Sequence, residues 1–226
     1  MGVATRMLEE DGPDALQARK LTAEVGTSTQ AIYTLFGGMP GLLEAMVADG
    51  FVRWGRYVAA TPETDDPVAD HFAKGWALCD WALAFPHLYR LMMGLTGGDL
   101  RMHPGLEMTM AGTMAGFPEG QAAREVLMRS VDRIRASGRI QPVDSVVLAG
   151  QFLTMTHGYV LLEVAGAFGP GDLGLQVLGS LVINLMVGLG DSRDDAERSV
   201  LAAASARAES PRPVPGGGVD SLLGPA

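Results

Sequence analysis

The segment Leu16–Met46, LQARKLTAEVGTSTQAIYTLFGGMPGLLEAM, decides how this chain is read. Ala18, Leu21 and Val25 recur at helical spacing and give a short helix one apolar face. Gly26 follows directly, where a helix commonly ends on a residue of positive φ. Thr27 then opens a second helix, and Gln30, three positions on, completes the pattern of a capping box. Ile32 and Phe36 are four apart and placed to pack back on the first helix. Thr29, Gln30, Tyr33 and Thr34 fall on the other faces, toward solvent or a duplex. Gly37-Gly38 ends the second helix, and Pro40 suits the first turn of a third. The spacing is that of a helix-turn-helix, although two amphipathic helices of an ordinary helical domain share it.

The order of residue types narrows the choice. Gly26-Thr27-Ser28-Thr29-Gln30-Ala31-Ile32-Tyr33-Thr34-Leu35-Phe36-Gly37 resembles the signature of the TetR/AcrR family of bacterial transcriptional regulators. Glu9 to Leu16 resembles the end of that family's first helix and its turn, and Gly41 to Met46 its fourth helix. The resemblance implies that Ser28–Phe36 enters the major groove of double-stranded operator DNA. Thr29, Gln30 and Thr34 would then face bases, Ser28 and Tyr33 phosphates, and Thr27 would close the helix start. Gln is a residue type that reads adenine through two hydrogen bonds. The chain departs from the pattern at Met39, where the family carries a phosphate-contacting lysine, and at Thr27 and Leu35. Met1 falls inside the family's first helix, so a truncated first helix is expected over residues 2–11.

Charge restricts how DNA is held. The net charge is −9, which argues against a broad nucleic-acid surface. Residues 1–60 hold five basic residues, Arg6, Arg19, Lys20, Arg53 and Arg56, against seven acidic ones. Binding therefore has to rest on local geometry, hydroxyls and helix N-termini, doubled by a dimer that presents two half-sites about one turn of DNA apart.

Past Pro40 the periodicity predicts only helices: Pro40 to Ala60, with Phe51, Trp54 and Val58 on one side; Val68 to Phe85, with Phe72, Trp76 and Leu83; Pro86 to Met93; Glu119 to Ser137, with Val126, Leu127, Val131 and Ile134 inward; two very apolar helices, Val143–Phe168 and Gly171–Leu189; and Asp194 to Glu209. Gly94 to Pro118 reads as a loop rich in glycine and methionine. The fold class is all-α. Residues 1–46 form the helix-turn-helix domain, 47–208 a helical effector-binding and dimerisation domain, and 209–226, including PRPVPGGG, a disordered tail.

The two apolar helices approach membrane-spanning length. Gln151, His157, Glu163, Gln176, Ser180 and Asn184 interrupt them, which makes a place in lipid costly. A helix pair buried on one side by its own domain and on the other by a second copy is expected, since so large an apolar face does not stay exposed on a monomer. The family resemblance places a four-helix homodimer interface at these same positions.

Seven of the 13 methionines lie between Met92 and Met128. Methionine is flexible and polarizable and suits an adaptable apolar cavity. Trp76, Trp81, Tyr89, Met92 and Phe152 are candidate walls for a small apolar effector, with His157 a polar handle; each is equally at home in an ordinary core. The segment Trp81–Met92 resembles the C-terminal domain of a TetR subgroup named for a Trp-His-Gly triplet, where this chain has Thr156-His157-Gly158.

Catalysis has no foothold in the sequence. The four histidines lack metal-ligand spacing, no phosphate-binding glycine loop or nucleophile elbow is present, and Asp70, His71 and Asp80 read as a solvated helix face. One cysteine, Cys79, excludes an intramolecular disulfide and a cysteine-based zinc site. No cofactor, metal or signal peptide is expected, and the location is cytoplasmic. The chain thus reads as a homodimeric, ligand-responsive repressor. The alternative is a dimeric helical small-molecule-binding protein with weakened or lost DNA binding.

Overall fold

In the computed structural model, residues 1–95 and 118–213 are described. Among them are ten α-helices, one 3₁₀ turn and no strand. In chain order these are α1 (Gly2–Asp11), the turn Pro13–Ala15, α2 (Ala18–Val25), α3 (Thr29–Phe36), α4 (Met39–Ala59), α5 (Pro67–Ala84), α6 (Pro86–Met92), α7 (Pro118–Ala136), α8 (Ser145–Val164), α9 (Leu173–Gly188) and α10 (Arg193–Glu209). Most of the Gly94–Pro118 loop and residues 214–226 of the tail lie outside the described residues.

Helix starts follow the chemistry of their first residues. Asp66 accepts from the Val68 and Ala69 amides ahead of α5, Asp144 from Val146 and Val147 ahead of α8, and Ser192 from Asp195 ahead of α10. Pro40, Pro67 and Pro86 each sit in a first turn.

One apolar core runs through the chain. Ala4, Met7 and Leu8 of α1 join Leu21, Ile32, Leu42 and Met46 beneath the helix-turn-helix, and α4 carries that core onward through Val47 and Phe51. α5 is the axis of the remainder, packed against α4, α6, α7, α8 and α10. Glycine makes one of these contacts possible: a Cβ at Gly50 would meet Met92 Sδ at 2.7 Å, so its absence lets α4 and α6 approach.

Asp70 and Asp80 do not form a solvated face; both are buried in α5. Asp70 takes Arg133 of α7 at 2.7 Å, and Asp80 takes Arg207 of α10 at 2.6 Å. Arg139 bridges Asp191 at 2.6 Å and Asp66 at 2.9 Å. Asp70, Asp80 and Asp191 are thus each matched by a guanidinium from a neighbouring element, the arrangement that makes a buried charge tolerable.

By length and composition α8 is apolar enough to cross a membrane, but only 28% of its apolar window is buried within the single chain. Its exposed side carries Val147, Gln151, Thr154, Leu161 and Leu162 at helical spacing. α9 shows Leu173, Gln176, Ser180, Leu181 and Asn184.

Candidate functional site

The helix-turn-helix is built on Gly26. Its φ of 73° and ψ of 35° place it in the left-handed region, which glycine occupies without a Cβ penalty. The turn is closed by Thr27 N–H donating to Thr22 O at 2.8 Å and Gly26 N–H to Ala23 O at 3.3 Å. Two details differ from the sequence reading. Val25 is 53% exposed, and Thr22 takes the inward place, its hydroxyl bonded to Ala18 O at 2.8 Å. The Thr27–Gln30 capping box does not form: Ser28 is the N-cap of α3 and its side chain makes no cap bond. Thr27 is spent on the end of α2, so the helix starts one residue later.

This leaves the first turn of α3 with unsatisfied amides and the Gln30 side chain uncommitted. Thr27, Ser28, Thr29, Gln30, Tyr33 and Thr34 are all exposed, and Thr34 donates back to Gln30 O at 3.0 Å. Ile32 is buried and Phe36 partly so, which fixes the opposite face of α3 inward. Gly37, at φ 73°, turns the chain into α4, whose axis diverges from that of α3 by 61°. Leu35, 72% exposed, stands on the outer side as well. Arg19 and Lys20 are exposed on α2. Arg6 is tied to Glu24 at 2.6 Å and Glu10 at 3.4 Å.

The second feature is a pocket of about 140 Å³ lined by residues of α4, α5, α6, α7 and α8. Trp81, Tyr89, Met92, Phe152 and His157 all line it. Trp76 does not: it lies edge-on to Tyr159, beneath the Arg207 guanidinium. The helical repeat of α5 turns positions 76 and 81 to different sides, which their shared aromatic character concealed. Sequence reasoning missed other walls, among them Phe51 and Trp54 of α4, His71, and Arg124 and Ser130 of α7. The periodic signal at Phe51, Trp54 and Val58 was present but reads identically for core and cavity wall.

Polar groups around the cavity are paired in a definite way. Tyr89 Oη and His157 Nδ1 are 2.5 Å apart, and their rings stack with an interplanar angle of 16°. Burial holds the Tyr89 phenol protonated by pushing its pKa up, and pushes His157 down to about 4. The two neutral groups therefore meet in a single hydrogen bond, whose donor is set by the imidazole tautomer. His71, also lowered by burial and by nearby Lys74, to about 3, has Nδ1 2.8 Å from Ser130 Oγ. Lys74 is buried and donates to Glu63 at 2.9 Å.

α6 joins this cavity to the N-terminal helices. Glu9 of α1 accepts from the backbone amides that begin α6, Tyr89 holds α8, and Met92 rests on Gly50 of α4. An N-terminal helix-turn-helix set on a helical body with an internal cavity defines a DNA-binding transcriptional regulator.

Comparison with known proteins names the family. Residues 1–46 match the model described as bacterial regulatory proteins, tetR family, and residues 72–181 the model described as tetracyclin repressor-like, C-terminal domain. The chain belongs to the TetR family, as the resemblance of its second and third helices implied. A Rhodococcus sp. RHA1 protein of unknown function has a similar structure, with TM-score 0.67 and 26% identity over 83% of this chain and 92% of that one. RolR, solved without ligand, shares the fold, with TM-score 0.53 and 15% identity over 95% and 96% of the two chains. No curated protein matches the sequence.

Proposed function

We propose that this protein is a homodimeric repressor, released from its operator when a small, largely apolar effector enters the cavity between α4 and α8. The observation that carries this reading is the position of α6. One short helix meets the cavity through Tyr89 and Met92 and meets α1 through Glu9. An effector there touches α6 and α4 together, and α4 leads directly into α3. A shift of α4 alters the separation of two recognition helices in a dimer and so their fit to half-sites. The effector needs only to favour the non-binding arrangement.

In this reading Thr29, Gln30 and Thr34 meet bases, Ser28 and Tyr33 meet phosphates, and the uncapped start of α3 adds a favourable dipole to the phosphate contacts. The exposed stripe from Val147 to Leu162 on α8, beside Leu173 and Leu181 on α9, supports a four-helix interface with a second copy. Gln151, Gln176, Ser180 and Asn184 lie on that exposed side and suit a mixed interface core and rim. Such a regulator works in the cytoplasm, alongside the DNA.

The test is a fluorescence-anisotropy titration of DNA from upstream of the protein's own coding sequence, at two salt concentrations, against a scrambled duplex. Specific binding that weakens with salt is expected. Equal effector affinity for free and DNA-bound protein would sink the release mechanism.

A second reading, a dimeric small-molecule-binding protein without DNA binding, is favoured by one observation. Arg6, one of the five basic residues among the first 60, is occupied by Glu10 and Glu24. A dimer that binds ligand and no duplex, whether specific or scrambled, would select that reading.

A further inference from the structure

The cavity holds a polarity that an ordinary apolar pocket does not need. Among the described residues, no aspartate or glutamate lines it. Two of its wall residues carry buried donors with no hydrogen-bond partner, Trp54 Nε1 of α4 and Arg124 Nε of α7. Neither group can accept a hydrogen bond. Ser130 Oγ is paired with His71 and Tyr89 Oη with His157 Nδ1, and neither pair serves the Trp54 or Arg124 donor. The charge on Lys74 is met by Glu63, which lies outside the cavity, whereas Arg124 forms no ion pair among the described residues. The Arg124 side chain is partly exposed, but its buried Nε–H stands at an apolar wall with no carboxylate lining the cavity, a charge-assisted donor left to be matched.

From this we infer that the effector is a compact aromatic carboxylate, its ring among Phe51, Trp81 and Phe152 and its carboxylate accepting from Trp54 and Arg124. This rests on the effector reading above and adds the chemical class. The volume, about 140 Å³, fits a single ring, since an apolar cavity of about 150 Å³ accommodates benzene. A carboxylate has two acceptor oxygens and so can satisfy donors arriving from two helices at once. A neutral ring leaves Arg124 unmatched, and a cation meets the like charges of Arg124 and Lys74. Because Trp54 belongs to α4 and Arg124 to α7, one carboxylate would tie together two helices of the cavity wall.

The experiment titrates the purified full-length protein with benzoate, benzyl alcohol and benzylamine, read by calorimetry and tryptophan fluorescence, with operator release followed in parallel. Benzoate is expected to bind about tenfold or more tightly than benzyl alcohol, with no binding of benzylammonium. In Trp54→Phe and Arg124→Met that preference falls while benzyl alcohol still binds, which shows that the cavity persists in both. Benzyl alcohol binding as tightly as benzoate, or a preference that survives both substitutions, overturns the inference. If benzyl alcohol then still releases DNA, the effector reading stands without it. Failure of benzoate to bind overturns the inference alone, since the effector reading requires no aromatic acid.

Discussion

The Glu9 carboxylate accepts the Leu88 backbone N–H at 2.7 Å and that of His87 at 3.2 Å, so a side chain of α1 caps the first turn of α6. Seventy-nine positions separate Glu9 from Leu88 in sequence. Burial raises the Glu9 pKa, and the two amide bonds oppose that rise by favouring the carboxylate. The cap ties the helix-turn-helix to the one helix that also meets the cavity through Tyr89 and Met92.

Removing that cap uncouples the two ends of the molecule. Glu9→Ala is expected to cost about 1 kcal/mol of stability, the usual cost of a lost helix cap. It is also expected to shrink the effect of an effector on DNA affinity while leaving the effector's own affinity for free protein nearly unchanged. Thermal melts and anisotropy titrations with and without effector measure both; undiminished coupling contradicts this role for Glu9.

The recognition face separates into two kinds of substitution. Gln30→Ala is expected to weaken binding to the specific duplex by about 1–3 kcal/mol with little effect on a scrambled one. Lys20→Ala is expected to weaken both alike and to reduce the slope of log affinity against log salt by about one. A Gln30→Ala loss shared equally by the scrambled duplex would assign Gln30 to the backbone instead.

The exposed apolar stripe predicts assembly. Leu162 is 50% exposed on the single chain and Leu181 nearly as much. Leu162→Glu and Leu181→Glu place charges in the proposed interface and are expected to yield monomers of unchanged helicity, read by light scattering and circular dichroism. Dimers that persist in both variants move the interface elsewhere.

Asp80 and Arg207 test the buried ion pairs. Asp80→Ala leaves the Arg207 guanidinium partly buried and without its carboxylate, and loss of one member of such a pair costs about 3–5 kcal/mol. The double change Asp80→Ala with Arg207→Met is expected to recover part of that loss. Urea denaturation of the four proteins measures the coupling.

Acid weakens the fold through its buried histidines. His157 and His71 stand at about 4 and about 3, against 6.5 for an ordinary histidine. Between pH 6.5 and those values the unfolded chain takes up protons that the folded chain refuses. Stability is therefore fully present above pH 6.5 and declines as pH falls, by up to about 1.4 kcal/mol per unit for each histidine. His157→Gln is expected to remove one histidine's share of the slope between pH 6.5 and 5, where carboxylates contribute little. An unchanged slope in chemical denaturation would mean that His157 is protonated in the folded protein.

Local pattern made most of the fold legible. Gly26 and the Gly37-Gly38 pair marked the helix ends, Pro40 and Pro86 the helix starts, and apolar periodicity the helices between, because these effects act within a few residues of chain. Pairing across the chain was not legible. Asp70 and Asp80 have the composition of a solvated face, and only the arrival of Arg133 and Arg207 from distant helices makes their burial tolerable. Trp76 and Trp81 look alike as residues, yet one packs against Tyr159 and the other lines the cavity, since each residue of a helix turns the side chain about its axis.

By itself, then, the sequence determined an all-α chain with a helix-turn-helix at its start and two strongly apolar helices toward its end. Hydrophobic spacing, turn residues and caps are short-range properties written directly in residue order. Only the tertiary structure decided that Tyr89 binds His157, that Glu9 caps α6, and that Trp54 Nε1 and Arg124 Nε find no partner among the described residues at one cavity. Each of these depends on which helices meet and at what rotation, and that is set by packing among residues far apart in the chain.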